Sequence, residues 1–263
     1  QEFECGFESL DRVILEAAGH ILVAGSVLDI GTLNGVDPTF NSNTQFEFQA
    51  PDGFVGRFSG SGSLVDATYV GSVEFDYIQA LGRAPSGAVI VAGTTASTFR
   101  TDYGVTSAAY QPTCEAFPEE DGGCAFVARL AADLRSIPAA TFFGPPYEVT
   151  PTAIALDADG SIVLAGAMYS GATPTGGAVA ATPGAFDTSF NGSSDGFIAR
   201  LPASLASLDV LTYFGGSADE FPQSVRIDAA GQIHVSGSTD SPNFPVQAAG
   251  ALKAAYDGST DAF

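Results

Sequence analysis

The stretch that decides the fold is Gly160-Ser161-Ile162-Val163-Leu164-Ala165-Gly166. It carries no charge, begins and ends in glycine, and is apolar on both faces when extended, as expected of a strand covered on two sides. The same pattern, G-x-[IV]-x-[VL]-[AS]-G, begins at Gly19 (GHILVAG), Gly87 (GAVIVAG) and Gly231 (GQIHVSG), so successive copies stand 68, 73 and 71 residues apart. Other motifs keep step with it. After it come DGFVGRF from Asp52, CAFVARL from Cys124, DGFIARL from Asp195 and DAF from Asp261. Next come ATYVG from Ala67, ATFFG from Ala140 and LTYFGG from Leu211. Before it stand RVILEAAG, TAIALDADG and SVRIDAAG, with a weaker version at IQALGRAPSG. Motifs repeating in fixed order at this period denote one structural unit used several times.

Each unit reads as four short strands, A to D. Strand A runs into a tight turn whose glycine, Gly160 for example, takes the positive φ that a hairpin needs, with Asp157 and Asp159 suited to an Asx turn. Strand B is the heptapeptide, strand C the Phe-Val-x-Arg motif and strand D the stretch ending in Tyr-Phe-Gly. One such sheet cannot bury both its faces, whereas copies packed face to face around an axis can. The chain is therefore expected to be all-β, a β-propeller of four-stranded antiparallel blades. Three blades are complete (about 1–71, 72–144 and 145–216) and the fourth, about 217–263, is partial. The units are longer than the roughly 40–50 residues usual for a blade. Their excess lies between strands B and C, in connectors rich in Gly, Pro, Ser and Thr, where binding sites tend to sit. Strand C of the fourth unit stops at Phe263, so further blades from the same or another chain are expected to complete the ring.

The chain has 263 residues, 45 % of them hydrophobic, enough for a large buried core. Its formal charge is −21, with nine basic residues. Such a surface repels nucleic acid and anionic lipid, because binding phosphates requires clustered Lys and Arg. No apolar run approaches the roughly 20 residues that cross a bilayer as a helix. Cys114 and Cys124 flank the acidic loop EAFPEEDGG, and a disulfide between them is expected. Two free thiols or half a metal site are the alternatives, but zinc lacks further ligands nearby. Cys5 has no obvious partner. A disulfide points to an oxidising compartment.

The segments TPGAFDTSFNGSSDGFIARL from Thr182 and LTYFGGSADEFPQSVRIDAAGQIHVSGSTDSPNFP from Leu211 resemble the bacterial SBBP β-propeller repeat. The likeness is close over units three and four. It is looser in unit one, whose connector reads VDPTFNSNTQFEFQAPDGFV, and in unit two, which carries the cysteine loop. The resemblance implies a propeller in a large secreted or cell-surface bacterial protein, and it implies no reaction.

The residues that carry chemistry elsewhere are weak here. Gly192-Ser193-Ser194-Asp195-Gly196 spells G-x-S-x-G, but a nucleophile elbow needs a helix after its serine, and here a strand follows. His20 and His234 lie three blades apart with no carboxylate pair, so neither a triad nor a metal cluster is indicated. Arg57, Arg129 and Arg200 share one position of strand C. They are read as ion-pair partners holding blade registry, the alternative being a guanidinium ring for an anion. Asp157-Ala158-Asp159-Gly160 opens like a calcium loop, and Asp195, Asp219, Glu220 and Asp261 offer further oxygens, but the closing ligands of an EF-hand are missing. Phe54, Phe126, Phe197 and Phe263 recur at one position, as do Tyr69, Phe142 and Tyr213, which suggests packing between blades. A sugar-stacking site would sit on a variable loop, such as Tyr103 and Tyr110.

These readings point to a non-catalytic extracytoplasmic propeller, a scaffold and interaction module for other protein subunits or cell-surface glycans. No catalytic residue, cofactor site or metal site is assigned. A polysaccharide lyase or glycosidase, or a calcium-dependent adhesin, would be the alternatives. An enzyme would reveal itself by charged or aromatic residues that break the repeat and converge on the axial channel. No cluster of such departures stands out among the repeated motifs.

Overall fold

A computed structural model describes residues 7–17, 19–41, 50–72, 74–96, 105–114, 123–146, 149–169, 179–246 and 255–263. Cys5 and Tyr103 lie outside them. The first blade pairs β1 (Phe7–Leu15), β2 (Ile21–Val27), β3 (Asp52–Phe58) and β4 (Leu64–Val70) in that order, all antiparallel. The second is β5 (Asp76–Arg83), β6 (Val89–Thr95), β7 (Cys124–Leu130) and β8 (Ala139–Phe143). The third is β9 (Val149–Leu156), β10 (Ile162–Tyr169), β11 (Ser194–Leu201) and β12 (Val210–Phe214). The fourth consists of β13 (Glu220–Ile227), β14 (Ile233–Thr239) and the two-residue β15 (Asp261–Ala262). The all-β propeller read from the repeat is what the chain forms.

Both glycines of the heptapeptide have a physical reason. The first closes the A–B turn at φ +78°, +89°, +85° and +77° (Gly19, Gly87, Gly160, Gly231), a region where side chains are strained. The last faces a β-bulge of strand A, which pushes a backbone carbonyl against it. A Cβ at Gly25, Gly93, Gly166 or Gly237 would collide with the carbonyl oxygen of Ser9, Tyr77, Thr150 or Phe221. The residues between the two glycines bury both faces in the second and third blades.

The cores lie between blades, as the packing argument requires. Leu22, Ala24, Val55 and Val70 of the first blade pack against Leu81, Val89 and Val91 of the second. Ile90, Ala92 and Val127 of the second meet Ile154, Ile162 and Leu164 of the third. Val163 and Ala165 of the third meet Val225, Ile227 and Val235 of the fourth. Aromatic contacts span the same junctions: Phe143 stacks on Phe197 at 5.4 Å, and Phe214 meets Phe263 edge-on at 5.7 Å. Tyr69 and Tyr213 depart from that expectation. They are buried against their own blade's connector, the Tyr69 hydroxyl donating to the Gly31 carbonyl and the Tyr213 hydroxyl to that of Val179.

The long B–C connectors return along the outer strand of their own blade. The Asp37 and Tyr69 amides, for example, donate to Thr68 Oγ1 and the Asp37 carbonyl. Gln111 with Thr141 and Phe142, and Asp187 with Thr212 and Tyr213, repeat the pattern. The exposed edge of strand D is thereby covered. The first two connectors then cross to the next blade: the Val36 amide donates to the Leu134 carbonyl, and the Tyr110 amide to the Leu205 carbonyl.

A candidate functional site at the propeller axis

The four innermost strands, β1, β5, β9 and β13, surround a cavity of about 500 Å³. Its lining is apolar at Val13 and Leu156, and polar at Gln223 and Ser224. Into this cavity the fold brings Arg12, Arg83 and Arg226, three of the chain's nine basic residues.

Each of these arginines breaks the repeat. Arg12 stands where the other blades have Ala80, Ala153 and Ser224, each paired with the same position of strand B. Arg83 replaces Leu15, Leu156 and Ile227, and Arg226 replaces Ile14, Gly82 and Ala155. The departures that the motif comparison did not reveal are therefore present. They lie in strand A, whose weaker motif hides its register until the pairing with strand B is known.

The environments of the three differ. Arg12 reaches across the axis, its Nη2 donating to the Thr152 carbonyl of the third blade at 2.5 Å and its Nη1 to the Asp11 carbonyl at 2.6 Å. The exposed Arg226 donates from Nη1 to the neighbouring Val225 carbonyl. Among the described residues neither has a carboxylate within ion-pair distance. Arg83 is paired: its Nε donates to Glu16 Oε1 at 2.6 Å, while Glu16 Oε2 accepts from Arg57 Nε at 2.8 Å. Burial pushes the Glu16 carboxyl up, but the hydrogen bonds and charges of Arg57 and Arg83 outweigh it and hold the group below its ordinary range.

The recurring strand C arginines are structural. Arg57 is buried between Glu16 and Asp66, and Arg200 bonds Asp157 at 2.7 Å with Asp159 at 3.7 Å. Arg129 departs from the ion-pair reading, donating instead to the Ala203 carbonyl of the next blade. Asp157 and Asp159, the start of the calcium-like loop, are thus engaged with Arg200. Ser194 is buried at the start of β11, its hydroxyl on Asp219 Oδ1, with strand rather than helix after it. His20 lies in the turn before β2 rather than within the strand, and His234 is exposed on β14 with Nε2 3.1 Å from Asp228. Tyr110 packs against Phe143 at 6.4 Å, inside a blade junction.

The strand C aspartates do more than terminate a turn. Asp52 Oδ2 accepts the Asn41 amide, Asp195 Oδ2 the Asn191 amide and Asp261 Oδ2 the Asp257 amide, fastening each connector to its strand. In the second blade the Cys114–Cys124 disulfide occupies that place. Asp52 and Asp195 are fully buried, and Oδ1 of each has no hydrogen-bond partner. Beside them stand the first residues of the next blade's strand A, Asp76 and Glu220, also fully buried. A Cβ added at Gly71 would touch both Asp52 and Asp76, and one at Gly215 both Asp195 and Glu220. Burial first, then the neighbouring carboxylates, push Asp52 up to about 8 and Asp195 up to about 7, against the lowering effect of the amide each accepts.

No family model matches the chain, and no curated protein matches it. Among solved structures it is similar to the tail fiber of Staphylococcus aureus phage P68, at 10 % identity and a TM-score of 0.27, over 90 % of this chain and 49 % of the fiber chain. It thus spans about half the length of that chain.

Proposed function

We propose that this chain is a non-catalytic structural and protein-interaction module of a larger extracytoplasmic assembly, joined to its neighbour through the open face of the first blade. The carrying observation is a contrast between the two open faces. On the first blade, Val13 and Leu15 are 68 % and 76 % exposed, and Val23 and Ile21, paired directly beside them, are half-buried. The equivalent residues Leu81, Val89 and Val91 of the second blade are core. The open face of the fourth blade has the opposite character. His234 and Ser236 stand where Leu22 and Ala24, Ile90 and Ala92, or Val163 and Ala165 meet a following blade. An exposed apolar sheet face is what a further blade covers. The partner is accordingly a protein presenting an apolar sheet face, another blade above all.

The Cys114–Cys124 bond supports a location outside the reducing cytoplasm. The likeness of the motifs to SBBP repeats supports a secreted or cell-surface bacterial protein. The test is light scattering across a concentration series, with Val13→Lys/Leu15→Lys as comparison. The chain should self-associate through this face, and the double variant should stay monomeric with an unchanged melting temperature. Monomeric behaviour of both at high micromolar concentration would rule the reading out.

A further inference from the structure

We infer that the axial cavity is a binding site for a small organic oxyanion, held by Arg12 and Arg226 with Arg83 at its rim. Arg12, Arg129, Arg135 and Arg226 make no ion pair among the described residues, and of these only Arg12 and Arg226 line the axial cavity. The recurring Arg57 and Arg200 are indeed neutralised by carboxylates. Arg12 and Arg226 are held instead by backbone carbonyls, which orient a guanidinium without cancelling its charge. A guanidinium has five N–H donors in a planar fork, so both retain donors for a ligand. That fork matches the two oxygens of a carboxylate or the face of a phosphate.

The surroundings fix the rest of the ligand. The cavity's volume lies within the range of small-molecule sites, roughly 300–1,000 Å³. Val13 and Leu156 offer accessible apolar surface for a carbon body, and Gln223 and Ser224 offer neutral hydrogen bonds beside the charge. Four different blades contribute to this lining, and blades two and three supply no arginine equivalent to Arg12 or Arg226. A role in holding blades together would call for the same residue at every junction, which is what Arg57 and Arg200 approach. An irregular set converging on the axis is what a ligand requires.

Isothermal titration calorimetry tests this with citrate, glucuronate and inorganic phosphate at constant ionic strength, and with glucose as the neutral control. Citrate or glucuronate should bind with one site per chain, and glucose should not. Phosphate binding as well would identify the oxyanion head as sufficient, whereas its absence would identify an organic carboxylate. Arg226→Gln removes an exposed side chain whose one hydrogen bond among the described residues goes to its neighbour's carbonyl, so the fold and melting temperature should persist. Affinity should fall about tenfold or more, the scale of a lost charge-assisted contact. Arg135→Gln, on an exposed turn outside the cavity, should change nothing. No binding of any anion at millimolar concentration would overturn the inference, as would equal affinity in Arg226→Gln and the unsubstituted chain. Neither result would bear on self-association through the first blade.

Discussion

Asp195 and Glu220 stand on adjacent blades with their carboxyl oxygens crowded against one residue, Gly215. Asp52 and Asp76 repeat the arrangement around Gly71. At the intervening junction both carboxylates are lost together, to Cys124 and Val149, so each pair acts as a unit. Two buried carboxylates at close quarters cannot both stay ionised, and one holds a proton.

A pH dependence follows. Asp52 and Asp195 rise from 3.8 to about 8 and about 7, so between these limits the folded state binds protons that the unfolded chain releases. Their contribution is complete only below pH 3.8, the unfolded value, and is lost progressively as pH rises to about 7 for Asp195 and about 8 for Asp52. Unfolding free energy should therefore fall between pH 6 and 9, by about 1–4 kcal/mol in order of magnitude. Asp52→Asn and Asp195→Asn mimic the protonated carboxyls. Denaturant melts of the double variant should lie level across this range, above the unsubstituted chain at pH 9. An undiminished slope in the double variant would refute the assignment.

Glu16 gives the opposite sign at the first junction. Its carboxylate joins Arg57 of its own blade to Arg83 of the next and is held below its ordinary value of 4.5. Its stabilisation is present above pH 4.5 and lost as pH falls through the lowered value. Glu16→Ala leaves two guanidinium groups without their shared partner and should cost about 3 kcal/mol, as for other broken buried pairs. Urea unfolding at pH 7 measures it, and a cost below about 1 kcal/mol would show the network to be no better than a surface pair.

What the sequence made legible was whatever repeats. The heptapeptide and its companions placed the strands, their order and the blade boundaries, because a strand buried on both faces leaves a strong local pattern. The disulfide was legible for a similar reason, since its two cysteines bracket one loop. The axial arginines were not. Arg12, Arg83 and Arg226 lie at three different register positions of strand A, and only its pairing with strand B, bulge included, shows that they share a cavity. The carboxylate pairs were hidden by distance along the chain, with Asp195 in one motif and Glu220 at the edge of the next. Turn chemistry misled as well, since Leu134 and Leu205 hold left-handed conformations that favour glycine.

Those two leucines carry their own prediction. They have φ of +58° and +55°, at the C–D turn position that Gly62 fills in the first blade with φ +86°. Both are fully buried, and each carbonyl receives the preceding blade's connector. Burial of the side chain therefore outweighs a left-handed strain of about 1–2 kcal/mol. Leu205→Ala should lose about 2–4 kcal/mol through the cavity it leaves. Leu205→Gly should be no less stable than Leu205→Ala, because glycine alone escapes the strain. Equilibrium unfolding of the two variants decides it: glycine clearly below alanine would show that the backbone is not strained there.

The disulfide performs in the second blade the task that an aspartate–amide hydrogen bond performs in the first and third. Cys124 begins β7 as Asp52 begins β3, and Cys114 anchors the connector whose Tyr110 amide reaches the Leu205 carbonyl. Closing a loop of about ten residues is worth about 2.5–3 kcal/mol in the chain-entropy treatment. Reduction should lower stability by that order. It should also speed hydrogen exchange at the Tyr110 and Phe142 amides, which tie the connector to the third blade and to β8. The Cys114→Ser/Cys124→Ser variant should match the reduced protein and ignore reductant. Exchange at those amides that reductant leaves unchanged would mean that backbone hydrogen bonds alone hold the connector, as they do from Asp37 and Asp187 in the other blades.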